Sequence, residues 1–118
     1  EVFAPIRVGV DAYTHAARIH PFQWGVGASV SEYTVPYKMA RMLKAFKEHY
    51  SYIPEDSLHF WSAHQEADEV HGNIMINLIE KYGKTETDKD LLMDGYMFKL
   101  DLHRIMLDTI HYETVVKK

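Results

Sequence analysis

Apolar positions recur along this chain at the three- and four-residue spacing of helices, not at the alternation of strands. No Asn-Gly or Asp-Gly turn separates alternating apolar runs. Four helices follow from that pattern. The first spans about Ile6 to Ile19, with Pro5 suited to its first turn, where a missing N–H costs nothing. The second runs from Pro21 to about Tyr50. Gly25 and Gly27 imply close packing early in it, and Pro36 implies a bend. The third follows Pro54 and ends near Tyr82, with Glu55 and Asp56 at the favourable end of its dipole and Gly83 as its stop. The fourth starts after Thr85, which with Asp88 three residues on forms a capping pair, and reaches about Val116. Connections of two to five residues predict antiparallel neighbours in an all-α helical bundle.

The third helix departs from simple amphipathicity. Phe60, His64, Ala67, Asp68, His71, Met75, Leu78 and Tyr82 share one face, while Gln65, Glu66, Glu69, Asn73, Asn77 and Glu80 occupy the other. His64, Asp68 and His71 therefore fall on the apolar side. A carboxylate there costs several kcal/mol unless something compensates it. Their i, i+4, i+7 spacing places them within an arc of roughly 60° over two turns. Two imidazoles and a carboxylate on one stripe suit a divalent first-row metal. His and Asp at this spacing can equally hydrogen-bond each other.

A second stripe, Ala28, Glu32, Val35, Met39, Leu43 and Phe46, carries Glu32 as its single charge. A metal held between facing helices would compensate that carboxylate. A Lys or Arg from elsewhere, or a place at the bundle rim, would do so as well. Asp11 and His15 read as a local pair or a pocket lining. Asp101, Arg104, Asp108 and His111 read as a solvated ion-pair row. The methionines read as core filler.

Composition narrows the classes. The chain has 118 residues, enough for one domain with a real core. Thirteen Lys and Arg against seventeen Asp and Glu give a net charge of -4, against a nucleic-acid or polybasic membrane partner. No apolar run reaches the ~20 residues of a membrane span. The absence of cysteine removes disulfides, zinc ribbons, iron–sulfur ligation and thiol catalysis, and fits a reducing, cytoplasmic setting. Eight histidines are many for this length. No H-E-x-x-H, phosphate-cradling glycine loop or G-x-S-x-G is present.

The stretch FQWGVGASVSEYTVPYKMARMLKAF, followed by HFWSAHQEADEVHG, resembles the heme-oxygenase-like di-iron oxidases, relatives of TenA-type thiaminases and of the PQQ-synthesis oxidase. In that family a Glu on one core helix precedes a His-x3-Asp-x2-His set on the next by about thirty residues. Here Glu32 precedes His64, Asp68 and His71 at that distance. The resemblance covers residues 20–83 well and the rest loosely.

It implies a heme-oxygenase-like fold. It also implies Glu32, His64, Asp68 and His71 as ligands of two Fe(II) ions, with O2 as co-substrate. The substrate would be a small organic molecule of the amino acid, amine or fatty acid class, in a pocket lined by Ala28, Val35, Met39 and Phe60. The family's fold needs a longer chain, and its site takes further ligands from an earlier helix that nothing before Glu32 matches. The expectation is a C-terminal half of a longer protein, or a chain completed by a partner or a second copy. The rival readings are a metal-free TenA-like enzyme, which would normally need a cysteine, and a non-enzymatic helical ligand- or partner-binding module.

Overall fold

The structure, a computed structural model, describes residues 2–117. It is all-α: 90% helical, with four long helices and no strand among the described residues. The helices are α1 (Ala4–Ile19), α2 (Val35–His49), α3 (His59–Tyr82) and α4 (Glu86–His111). The described chain forms two compact units, one of residues 2–29 with 82–117 and the other of residues 30–81.

In the first unit α1 packs on α4. Gly9 faces Leu102 and Tyr13 faces Lys99, so one helix descends as the other rises and the pair is antiparallel. The partner of α1 thus lies at the far end of the sequence instead of on the next helix along. Short connections alone do not reveal this. Residues 21–27 form a π-helical stretch that also lies on α4. Their contact is backbone to backbone. A Cβ on Gly27 would come within 2.5 Å of the Leu92 carbonyl oxygen, and a Cβ on Gly95 would strike the carbonyl of Gln23. Trp24 meets Phe98 edge to face at 4.7 Å, and Ala28 and Leu92 are buried beside this crossing.

The second predicted helix is therefore not continuous. The π-helical stretch of Pro21–Gly27 is followed by a 3₁₀ turn, Val30–Thr34, before α2 begins. Pro36 opens α2 and does not bend a longer helix, because proline fits a first turn and disrupts an interior one. The wide and tight turns change the angular step per residue. Positions that share a stripe at a uniform 100° accordingly do not keep it across residues 21–34.

The fourth helix starts as its cap predicts. Asp88 N–H donates to Thr85 Oγ1 at 3.1 Å, and Thr85 N–H donates to Asp88 Oδ2 at 2.9 Å. The Thr85 backbone bond, followed by its hydroxyl, holds the Asp88 carboxyl below the usual carboxylate value. A depressed carboxyl stabilises the fold above its unfolded value and loses that contribution as pH falls through the folded one. Thr85→Ala is expected to cost about 1 kcal/mol at neutral pH in a denaturant titration, and the difference should shrink below the ordinary carboxylate range.

In the second unit Phe46 near the end of α2 meets Trp61 near the start of α3 at 5.3 Å. Leu58 is buried, and Lys47 pairs with Glu55 at 3.1 Å. Pro54 and the 3₁₀ turn Glu55–Leu58 lead into α3.

Candidate metal centre

Three side chains of the second unit converge. One donor atom from each of Glu32, Asp68 and His71 lies within 4.8 Å of the others. Asp68 and His71 come from successive turns of α3, and Glu32 comes from the 3₁₀ turn before α2. His71 Nδ1 is 3.4 Å from Asp68 Oδ1 and 3.8 Å from Glu32 Oε2. Burial is graded: the Asp68 side chain is 9% exposed, Glu32 28% and His71 54%. The cluster is rooted in the protein at Asp68 and open at His71.

Gly72 makes this convergence possible. A Cβ there would lie 2.6 Å from Tyr33 Cα, 2.8 Å from Tyr33 N and 3.2 Å from Glu32 C. Only a glycine lets the backbone of the Glu32 turn come this close to α3. The sequence carried a signal for it, since a lone glycine inside a strong helical pattern usually has a packing reason. Ser31, the residue before Glu32, is buried as well, and Thr34 Oγ1 donates to its carbonyl at 2.9 Å, holding the turn.

His64 stands outside the cluster. Seven residues of helix separate it from His71, about 10 Å along the axis, so sharing a stripe does not bring both to one point. Its Nδ1 lies 2.9 Å from the Phe60 carbonyl oxygen, and its ring stacks on Phe60 at 4.1 Å. The other expected pocket residues scatter. Val35 and Met39 are half-buried on α2, Phe60 is exposed, and Ala28 is fully buried in the first unit. Of the ion-pair row on α4, Arg104 pairs with Asp101 at 3.4 Å on the surface.

The donor set fits a metal ion. Ligand atoms about 2.1 Å from a common ion stand about 3.0 Å apart at right angles and about 3.4 Å apart at tetrahedral angles. His71 stands 3.4 and 3.8 Å from the two carboxylates, close to that range, and all three donor atoms lie within 4.8 Å of one another. Two carboxylates and one imidazole are hard and borderline donors, suited to Fe(II), Mn(II) or Zn(II), with positions left for exogenous ligands.

The family model of the iron-containing redox enzymes matches residues 4–104, and the chain belongs to that family. The match spans both units and includes all four proposed ligand positions. It accords with the resemblance carried by Glu32 and the His-x3-Asp-x2-His set. Comparison with curated proteins and with solved structures gives no match. No helix among the described residues is long and apolar enough to cross a membrane.

Proposed function

We propose that this chain carries the carboxylate- and histidine-rich half of a non-haem di-iron centre that uses O2 to oxidise a small organic substrate of the amino acid, amine or fatty acid class. The convergence of Glu32, Asp68 and His71 carries this reading. Two acids brought together repel, and a metal ion held among them and the imidazole would relieve that repulsion. Membership of an iron-containing family supports iron as that cation.

Each residue has a separate task. Asp68, on the buried side, fixes one oxygen against the helix and excludes water behind it. Glu32 supplies a second carboxylate from a different element and so ties the turn before α2 to α3. His71 supplies an imidazole nitrogen at the open side, where substrate and O2 can reach the centre. Bound iron would supply the electron transfer to O2 that protein side chains cannot. The three clustered donors serve one ion. A second ion would draw on His64, on Glu32 as a bridging carboxylate, and on donors from a completing N-terminal segment or partner chain. Val35, Met39 and Phe60 would form the apolar approach.

The test is O2 uptake by the Fe(II)-loaded protein, supplied with panels of amino acids, amines and fatty acids. Substrate-dependent uptake with a matching oxidised product is expected. No O2 uptake by a protein that binds iron stoichiometrically would favour the non-enzymatic binding module instead.

A further inference from the structure

His64 is held twice by the same residue. Its Nδ1 lies 2.9 Å from the Phe60 carbonyl oxygen, and its ring lies 4.1 Å from the Phe60 ring at a tilt of 32°. A carbonyl oxygen only accepts, so the nitrogen facing it must carry the proton. The neutral imidazole is then the Nδ1–H tautomer, and Nε2 keeps the free lone pair. The Phe60 ring is itself fixed. It stands edge to face against Trp61 at 5.2 Å and 86°, and Trp61 packs on Phe46 of α2 at 5.3 Å. An aromatic row therefore runs from α2 to His64 within one compact unit.

We infer that Phe60 is a positioning residue for the metal centre: it presets His64 as an Nε2 donor, through its carbonyl for the tautomer and through its ring for the plane of the imidazole. This rests on the reading of His64 as a ligand. Metal-binding histidines commonly give their other N–H to a backbone carbonyl, and losing such a partner costs about 10–100-fold in metal affinity. Phe60 differs from an ordinary pocket-lining residue in that its ring and its carbonyl act on one neighbour. A side-chain substitution removes the first and leaves the second.

The experiment is long-range 1H–15N correlation NMR on the 15N-labelled chain at alkaline pH, where histidines are neutral. His64 is assigned by its loss in His64→Gln, and Zn(II) serves as a diamagnetic probe. Expected for the metal-free chain is the Nδ1–H pattern at His64, with Nε2 shifting when Zn(II) is added. Phe60→Leu keeps apolar bulk but not the ring plane. It should leave the Nδ1–H tautomer, which the carbonyl sets, and weaken Zn(II) binding about 10-fold, with helix content unchanged by circular dichroism. Phe60→Tyr should restore the affinity.

An Nε2–H pattern at His64 in the metal-free chain overturns the inference whatever the metal does. So does a Phe60→Leu chain with unaltered Zn(II) affinity. If Zn(II) moves His71 but not His64, the inference fails and the Glu32–Asp68–His71 site stands. If Zn(II) moves neither, the site reading fails and takes the inference with it.

Discussion

His71→Ala is expected to weaken Fe(II) binding by roughly 100-fold or more, since even residues that only orient a ligand cost about 10–100-fold when removed. The reasoning is local. His71 Nδ1 lies within 4 Å of both carboxylates, at 3.4 Å from Asp68 and 3.8 Å from Glu32, and it is the sole nitrogen donor of the three. Its removal leaves two acids, which hold a transition metal less well than a mixed set. The side chain is 54% exposed, so its loss should leave the fold intact. Glu66→Ala is the control. Glu66 is exposed on the opposite side of α3, and its loss removes an acid without touching the cluster. Equilibrium titration under anaerobic conditions reads both variants. Equal affinity in the two would remove the cluster as the iron site.

Gly72→Ala should lower stability by about 2 kcal/mol, although alanine is intrinsically the better helix former by about 1 kcal/mol. The added Cβ meets backbone atoms of Tyr33 at 2.6 and 2.8 Å, and backbone cannot swing aside as a flexible side chain can. Relief requires the Glu32 turn to back away from α3. The variant should therefore also lose Fe(II) affinity, with Asp68 and His71 unaltered. Gly25→Ala separates this from a general effect of glycine replacement. Nothing lies within 4 Å of a Cβ at Gly25, so that change should be neutral or mildly stabilising. Thermal melts and iron titrations of the two variants side by side make the comparison. A Gly72→Ala protein as stable and as iron-avid as the parent would show that close approach of the turn is not needed.

The regular helices were legible because each carried its own punctuation. Pro5 opens α1, Thr85 and Asp88 cap α4, and the Tyr82–Gly83 step ends α3. Residues 20–34 were not, because a hydrophobic stripe reports only an average periodicity and tolerates a wide turn followed by a tight one. What sets that segment is a long-range backbone contact, with Gly27 and Gly95 letting two chain segments nearly touch. Gly27 hinted at close packing but could not name Leu92 as its partner.

The site was legible to a similar extent. Asp68 and His71, as polar residues on an apolar stripe, and Glu32, as the lone charge on another, were identifiable from chemistry and spacing. That they meet was expected from the resemblance; the close approach that Gly72 permits to the Glu32 turn was not read from the sequence. His64 shared the stripe but sits two turns from His71, and spacing on a helical wheel is silent about distance along the axis. The Phe60 carbonyl and ring that hold His64 were likewise visible only once the structure placed them.

The central claim is that Glu32, Asp68 and His71 hold a metal ion, and anomalous diffraction from a crystal of the Fe(II)-loaded protein tests it most directly. The expected result is an iron peak about 2.0–2.2 Å from a carboxylate oxygen of Glu32, one of Asp68 and an imidazole nitrogen of His71. Any second peak should lie beside Glu32, on the side towards His64. Iron bound elsewhere at full occupancy, with these three side chains still paired only with one another, would contradict the account.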